Sequence, residues 1–276
     1  MRTIVVTGAT GGIGYEAAAT LTGEGDRVVL VGRDPQRTKD AVARIQERTG
    51  TTPEYALADF ASLDSVRALA ADLLARLDRI DVLVNNAGAV YGRRELTEDG
   101  YEATFAVNHL APYLLTRLLL DRITASNPAR IVTVASAAHY RGTMDLDDLG
   151  FEEGYSIMAA YSRSKLANVL FTRALAARLA GSGVTANCLH PGTVRTNIWS
   201  GAPWWAKPVL AIAKLRMIPV TVGASRITYL VTSPEVADLT GDYFDNDEPT
   251  KPSRLARDDR LAERLWDASA DLVGLA

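Results

Sequence analysis

Tyr161 and Lys165 are the two residues of this chain whose types and spacing most directly suggest acid–base chemistry. They lie four positions apart in a stretch with helical periodicity, so a helix would place the phenol and the ammonium on the same face. A phenol has a reference pKa of about 10, and a nearby ammonium lowers that pKa by favouring the phenolate. The pair predicts a general acid or base, although Tyr and Lys at this spacing also occur together by chance on many helices.

Two further polar residues stand where they could assist this chemistry. Ser136 follows the apolar run 130–135, at the carboxyl end of a predicted strand, where open α/β sheets bind their ligands. Its hydroxyl could hold a substrate carbonyl, or it could simply cap the local backbone of a turn. Asn108 lies within a predicted helix, although asparagine is a poor helix former. It either packs as a satisfied polar group or bends the helix to hold a water molecule.

A glycine-rich turn, TGATGGIG at residues 7–14, follows the first apolar run and precedes a helical stretch. Glycines let backbone N–H groups approach a pyrophosphate, and a helix N-terminus adds partial positive charge. The spacing alone fits TGxxxGxG, GxxGxxG and GxGxxA, and the alternative is a connection that needs glycine only for positive φ angles. We expect dinucleotide phosphates to bind here, against the residues Gly8, Thr10, Gly12, Ile13 and Gly14.

The end of the second predicted strand indicates which dinucleotide is used. An NAD enzyme places a carboxylate there to bind the adenosine 2′-hydroxyl, whereas this chain has Gly32 and Arg33. A guanidinium can pair with a phosphate through two hydrogen bonds, so we predict NADP(H) in preference to NAD(H). Arg37, one helical turn further on, could be a second cation, but we interpret it as an exposed helix charge.

The surrounding pattern alternates short apolar runs with longer amphipathic stretches, which predicts a doubly wound parallel sheet, a Rossmann fold, with helices on both faces. Strands are predicted at 3–7, 27–31, 54–58, 81–84, 130–135, 184–190 and, from a weaker pattern, 241–244. Helices are predicted at 12–23, 35–49, 62–76, 98–124, 158–181, 221–233 and in the tail 252–272. Six of the strands lack alternation, as strands buried on both faces should. Without repeats or linkers, residues 1–276 are interpreted as a single α/β domain.

Composition excludes several classes of function. The 276 residues carry 30 basic and 33 acidic side chains, a formal net charge of −3, so no overall positive field favours nucleic acid. The single cysteine, Cys188, excludes an internal disulfide, and three scattered histidines indicate no metal site. The chain starts at a predicted strand, and no apolar run approaches the roughly 18 residues of a spanning helix. We therefore expect a cytoplasmic protein without a membrane span.

The chain resembles the short-chain dehydrogenase/reductase family in a set of motifs that follow the family's order. They are TGATGGIG, Asp59, the run NNAG at 85–88, Asn108, Ser136, Tyr161 with Lys165, and the run HPG at 190–192. Within the family, the runs VASAAH at 134–139, SKLANVLF at 164–171 and HPGTVRT at 190–196, with an insert at 145–155, look like the retinol dehydrogenase-like group. The resemblance implies hydride transfer between a nicotinamide cofactor and a hydrophobic aldehyde or ketone.

The resemblance also implies a role for each matching residue. Tyr161 would be the proton donor in reduction, Lys165 its pKa modulator and a ribose ligand, Ser136 the carbonyl orienter and Asn108 the holder of a relay water. The remaining cofactor contacts would be Asp59 and Phe60 at the adenine, Asn86, Ala87 and Gly88 along the adenosine, and Pro191, Gly192, Val194 and Thr196 beside the nicotinamide. Similar proteins often form homodimers or homotetramers through the helices at 158–181 and 221–233.

Residues 193–219 interrupt the strand–helix alternation with three tryptophans and three prolines. Their position after a strand end predicts a lid over an apolar substrate. Two alternatives are that these side chains form core or a subunit contact, or that they lie on a membrane surface.

Two functions from other classes also stay open at this point. One is a nicotinamide-dinucleotide sensor without turnover, and the other is a redox-neutral isomerase or dehydratase.

Overall fold

The computed structural model describes residues 1–194 and 217–275, in which strands alternate with helices. The strands are β1 (Thr3–Thr7), β2 (Arg27–Gly32), β3 (Glu54–Leu57), β4 (Val82–Asn85), β5 (Ala129–Val134), β6 (Val184–His190), β7 (Tyr243–Asp245) and β8 (Glu248–Pro249). The helices are α1 (Gly12–Gly23), α2 (Pro35–Thr49), α3 (Leu63–Arg76), α4 (Ala103–Phe105), α5 (Ala111–Ala125), α6 (Ile157–Arg178), α7 (Val220–Thr232) and α8 (Asp259–Leu272). A π-helix, Ala106–Leu110, joins α4 to α5, and a 3₁₀-helix, Ala137–Arg141, follows β5.

These strands form one sheet in the order β3-β2-β1-β4-β5-β6-β7-β8, and only the short β7–β8 pair is antiparallel. Val5 of β1 pairs with Val29 of β2 on one side and with Leu83 of β4 on the other. The direction of strand succession reverses between β1 and β4, and in open sheets the crevice at this reversal is where ligands bind. The predicted doubly wound Rossmann fold is confirmed.

Two apolar cores, one on each face of the sheet, hold the helices in place. The side chains of α1, α2 and α7 pack with one face, and those of α3, α5, α6 and α8 pack with the other. All five residues of β1 and all four of β4 are buried, as expected of central strands covered on both faces. The central strands are therefore rigid supports for the loops at their carboxyl ends.

Strand β3 differs from the prediction that its side chains are buried on both faces. It lies at the edge of the sheet, and Tyr55 and Leu57 are exposed while Ala56 between them is buried. An edge strand has one neighbour and less cover, so its burial alternates. Strand β8 was not predicted, because two residues that include Pro249 carry no strand pattern.

Helix α6 is shorter than predicted and is covered along its length. It ends at Arg178 rather than at 181, and Gly181 then adopts a left-handed φ of 79°. Its residues 160–172 are all buried, partly by the C-terminal helix α8. Trp266 of α8 stacks on Phe171 of α6 with ring centroids 5.9 Å apart. The helix that carries Tyr161 and Lys165 is thus clamped between the sheet and α8.

Candidate active site

A groove runs along the carboxyl edge of the sheet across the strand reversal. It consists of a cavity of about 530 Å³ around Tyr161 and a neighbouring cavity of about 430 Å³ around Arg33, which share Gly8, Ala87 and Gly88 as walls. We call these cavities the Tyr161 half and the Arg33 half. Every predicted cofactor-binding residue that the structure describes lines one half or both: Gly8, Thr10, Gly12, Ile13, Gly14, Arg33, Asp59, Phe60, Asn86, Ala87, Gly88, Tyr161, Lys165, Pro191, Gly192 and Val194.

The glycine turn opens the N-terminus of α1 toward this groove. The capping residue of α1 is Gly11, which has no side chain to accept the free N–H groups, whereas Asp34, Ser62 and Ser156 cap α2, α3 and α6 with side-chain acceptors. A Cβ added at Gly11 would meet nothing within 4 Å. The first turn of α1 therefore presents unsatisfied N–H donors and the positive end of the helix dipole to a bound anion.

The turn is fixed against the end of β4 by a small hydrogen-bond network. Thr7 Oγ1 accepts the backbone N–H groups of Asn86 (2.9 Å) and Ala87 (3.0 Å), and the Asn86 amide donates to Thr7 O at 2.8 Å. A Cβ added at Gly14 would lie 2.3 Å from Asn86 Nδ2, so this packing requires glycine. The two loops that would enclose a dinucleotide are thereby locked together.

Helix α6 and strand β5 bring Tyr161, Lys165 and Ser136 together in the Tyr161 half. Tyr161 and Lys165 are buried, and Lys165 Nζ lies 5.8 Å from the centroid of the Tyr161 ring. Lys165 Nζ donates to Val134 O at 2.9 Å, which ties α6 to the end of β5. The Tyr161 and Ser136 hydroxyls share a hydrogen bond. The predicted acid–base pair and its candidate carbonyl-binding hydroxyl thus occupy one cavity.

The electrostatics of this trio differ from the sequence expectation in one respect. Burial raises the pKa of the Tyr161 phenol, and the hydrogen bond with Ser136 offsets only part of that rise. Burial also lowers the pKa of Lys165 to about 8. The net shift of the tyrosine pKa in the chain by itself is therefore upward, whereas the sequence predicted a fall, because desolvation of the phenol is its largest cause. At neutral pH Tyr161 holds its proton.

Asn108 stands behind this trio, in the π-helix that interrupts the predicted helix 98–124. It is fully buried; its Oδ1 accepts Ala89 N–H at 2.7 Å, and its Nδ2 donates to Ala89 O and to Ser164 Oγ at 3.0 Å each. The amide is satisfied, as the first of the two interpretations expects, and the helix is irregular at this point. That Asn108 holds a water molecule stays a prediction. Asn108 does not line either cavity. It packs behind Gly88, where an added Cβ would lie 3.2 Å from Asn108 Oδ1.

The Arg33 half is formed by the ends of β2 and β3. Arg33 and Asp59 face each other there with Nη1 and Oδ1 3.9 Å apart, and both side chains are largely exposed. Asp34 also lines this cavity, and its Oδ1 accepts Arg37 N–H at 2.8 Å as the cap of α2. Arg37 is an exposed charge of α2, as we expected, and it also lines both halves of the groove.

The ends of the predicted lid meet at the far side of the Tyr161 half. Ile218 N–H donates to Thr193 O at 2.9 Å, and Val194 forms a parallel bridge with Ile218. Gly192 has a φ of 90°, and a Cβ there would lie 2.4 Å from Ile218 Cδ1. Thr196 and residues 195–216 of the predicted lid lie outside the described residues.

Sequence reasoning did not single out Met158, which lines the Tyr161 half, or Tyr91, which lines the Arg33 half. Met158 precedes Tyr161 by three positions in α6, so helical spacing is the signal that could have indicated it. Tyr91 lies in an irregular segment, where no periodicity fixes the direction of a side chain. Met217 of the predicted lid and His190 of the HPG motif line the Tyr161 half.

The groove suits a nicotinamide dinucleotide. It has a glycine cradle with free N–H groups in the middle, a buried Tyr and Lys at one end and exposed basic side chains at the other. No group of three or more metal-binding side chains is found in residues 1–194 and 217–275.

Comparison with known proteins decides the family. The sequence profile described as short chain dehydrogenase matches residues 2–205. The chain belongs to the short-chain dehydrogenase family. Human retinol dehydrogenase 13 is 42% identical over 281 residues, an alignment that covers 99% of this chain and 85% of the relative. As a member of this family related to retinol dehydrogenases, the chain is an NAD(P)-dependent oxidoreductase.

Solved structures agree with the fold described above. A protein of Mycobacterium paratuberculosis with 33% identity has a TM-score of 0.81 and covers 99% of this chain and 94% of that chain. A short-chain dehydrogenase of Escherichia coli CFT073, solved in complex with NADPH, has a TM-score of 0.70 at 24% identity, with 90% and 97% covered. This second likeness supports the fold alone. Among the described residues, no helix has both the length and the apolar character to cross a membrane.

Proposed function

We propose that this chain uses NADP(H) to interconvert a hydrophobic aldehyde or ketone and its alcohol, with Tyr161 as the acid–base residue. The observation that carries the proposal is the buried Tyr161 phenol, hydrogen-bonded to Ser136 and close to Lys165, in the same cavity as the glycine turn. A phenol placed there can exchange a proton with an oxygen atom bound in that cavity.

Each residue of the trio has a definable task in reduction. When bound, the nicotinamide ring supplies the hydride, or accepts it in alcohol oxidation. Ser136 and Tyr161 donate hydrogen bonds to the carbonyl oxygen, where negative charge develops. Tyr161 then gives its proton to that oxygen, and its raised pKa keeps the proton available at neutral pH. The Lys165 ammonium stabilises the phenolate that remains, and burial strengthens this attraction.

The preference for NADP(H) is supported by the distribution of charge in the Arg33 half. Arg33 and Arg37 both line this cavity and can pair with a 2′-phosphate. Asp34 is the nearest carboxylate along the chain, but its Oδ1 already accepts the Arg37 N–H. The predicted preference therefore rests on the two guanidinium groups.

A hydrophobic substrate is supported by the apolar wall beside Tyr161. Met158, Met217, Val194 and four alanines line the same cavity as Tyr161. Met158 is 46% exposed, so its side chain is accessible to a ligand. The name of the human relative, retinol dehydrogenase 13, points to the same class of lipophilic alcohols.

The test is a panel of aldehydes and ketones of graded apolar size, assayed with NADPH and NADH by the change in cofactor absorbance. Tyr161→Phe serves as the inactive control. We expect turnover with a higher kcat/KM for NADPH than for NADH, rising with the apolar size of the substrate. A higher kcat/KM for NADH would contradict the cofactor preference.

Two other outcomes would replace the proposed reaction. NADPH binding without oxidation across the panel would indicate a sensor. Conversion of an added substrate without net consumption of NADPH would indicate a redox-neutral isomerase or dehydratase.

A further inference from the structure

His139 is a buried histidine close to the active-site serine, and neither the sequence motifs nor the proposed chemistry gives it a task. It lies in the 3₁₀-helix that Ser136 caps, three residues after that serine. Its Nδ1 lies 2.8 Å from the main-chain oxygen of Ser136, and its Nε2 lies 3.2 Å from the backbone nitrogen of Ser253. The ring thus bridges the catalytic loop and a segment more than a hundred residues later in the chain.

The two partners determine where the imidazole carries its proton. The Ser253 N–H can only donate, so Nε2 must accept and carries no hydrogen. The Ser136 carbonyl can only accept, so Nδ1 must donate. Burial lowers the pKa of His139, which keeps the ring neutral at pH 7. The surroundings therefore select one form of the ring, the neutral Nδ1–H tautomer.

Neighbouring contacts hold this bridge from both sides. The His139 ring packs against Tyr140 and Tyr243, with centroids 4.1 Å and 4.6 Å away. The Tyr140 hydroxyl donates to Lys251 O at 2.9 Å, so two consecutive residues bind the same segment. We call residues 250–253 the C-terminal strap. The strap is joined to β7 by Thr250 N–H, which donates to Tyr243 O at 2.7 Å.

This arrangement bears directly on the direction of the Ser136 hydroxyl. Ser136 Oγ accepts the Ala138 N–H at 3.1 Å, which uses one lone pair and leaves the hydroxyl proton to be donated elsewhere. With the Ser136 carbonyl held by the His139 ring and by the His139 backbone N–H, the peptide on the carboxyl side of Ser136 is fixed in orientation. The hydroxyl is then constrained to lie toward Tyr161.

We propose that His139 is a positioning residue, whose Nδ1–H donates to the Ser136 carbonyl and so aims the Ser136 hydroxyl at the bound carbonyl, while the C-terminal strap holds the ring in this tautomer. This inference rests on the proposed carbonyl chemistry for its effect on turnover. The tautomer itself is independent of that chemistry.

Two substitutions each remove one of the two hydrogen bonds that the His139 ring makes. The amide nitrogen of Asn in His139→Asn occupies the place of Nδ1 and keeps the donor to Ser136, but loses the acceptor for Ser253. The amide oxygen of Gln in His139→Gln reaches the place of Nε2 and keeps the acceptor for Ser253, but loses the donor to Ser136. We expect His139→Gln to lower kcat about tenfold, the effect of one lost hydrogen bond, and His139→Asn to retain kcat within about threefold.

The control is Tyr140→Phe, which removes the bond to Lys251 and loosens the same strap without touching Ser136. We expect it to lower Tm while kcat stays unchanged. The KM for the carbonyl and the Kd for NADPH, measured by cofactor fluorescence, should change little in all three variants. A fall of kcat in proportion to the loss of Tm in all three variants, or equal kcat values for the Asn and Gln variants, would overturn the positioning role.

A measurement without turnover completes the test. Long-range ¹H–¹⁵N spectra of the full chain, compared with those of His139→Asn to assign the ring, should show a protonated Nδ1 and an unprotonated Nε2 at pH 7. A protonated Nε2 would overturn the inference whatever the activity. If the wild type shows this tautomer but reduces no carbonyl, the proposed function and the positioning role fail, and only the structural bridge stands.

Discussion

The two halves of the groove are built in opposite ways. In the Tyr161 half Tyr161 and Lys165 are buried and firmly held: Lys165 bonds to Val134 O, and Asn108, which lies behind this cavity, makes three hydrogen bonds. In the Arg33 half the polar side chains are exposed and loosely paired, with Arg33 68% exposed and 3.9 Å from a carboxylate that is itself 45% exposed. One half lies between central strands, and the other lies beside the edge strand β3.

The two halves therefore differ in what a substitution should change: the rate of the reaction in one, and the choice of cofactor in the other. A buried group costs free energy to desolvate, so it is held rigidly and its removal leaves partners unsatisfied. An exposed guanidinium is screened by water and salt, so it adjusts binding by modest amounts. We therefore expect substitutions in the Tyr161 half to affect kcat strongly, and those in the Arg33 half to affect the choice of cofactor.

The largest effect is expected from Tyr161→Phe, which removes the proton donor and keeps the ring. Loss of a general acid costs about a hundredfold to ten-thousandfold in rate, so kcat should fall by that factor while NADPH still binds. The matched control is Tyr101→Phe, which removes a phenol bonded to Leu272 O outside the groove. A Tyr161→Phe enzyme with near wild-type kcat would contradict the assignment.

Asn108→Ala should produce the next largest effect. It leaves Ala89 and Ser164 without their partner, and each buried group left unsatisfied costs about 1–3 kcal/mol. We expect a lower Tm together with a loss in kcat of roughly ten- to a hundredfold, because the wall beside Lys165 loosens. Asn187→Ala removes a buried amide bonded to Leu239 and Asp242, so it should lower Tm alone. Equal kcat in both variants would show that Asn108 is only structural.

Arg33→Ala tests the exposed half. Removing one cation from a phosphate should lower kcat/KM for NADPH by about tenfold and leave the value for NADH nearly unchanged. The loss should shrink at high salt. Arg93→Ala removes an equal charge from an exposed pair with Glu95 and serves as the control. If both cofactors lost efficiency equally, Arg33 would have no part in recognising the 2′-phosphate.

The smallest effect expected is a change of rate with pH, within a few-fold near neutrality. Burial lowers the Lys165 pKa to about 8, so the ammonium is charged below that pH and neutral above it. Carbonyl reduction should therefore decline as the pH rises through about 8. In Lys165→Arg the charge persists across this range, so the decline should disappear whatever the absolute rate. A similar decline in that variant would assign it to another group.

Much of the fold and of the Tyr161 half could be predicted from sequence, because both depend on regular patterns. Apolar runs located the central strands, and helical spacing brought Tyr161 and Lys165 to one face. The tyrosine pKa could not be predicted, since it depends on how completely the fold buries the phenol. The sequence left open whether Arg37 lies in the groove, because a helix charge faces water or a ligand according to the loops opposite it.

The edge of the sheet was the least predictable part. Tyr55 and Leu57 are large apolar side chains that suit a buried strand, and only the strand order shows that β3 has a single neighbour. The contacts of His139 likewise join positions that are more than a hundred residues apart. Such contacts have no local signature in the sequence.

The most direct test of the account is the fate of the hydride. NADPH carrying deuterium at the transferable position of the nicotinamide ring is incubated with a hydrophobic ketone and the full chain, and the alcohol is examined by mass spectrometry. We predict one deuterium at the carbinol carbon with the wild type and almost none in the same time with Tyr161→Phe. An alcohol formed without deuterium, or equal labelling by the two proteins, would contradict hydride transfer assisted by Tyr161.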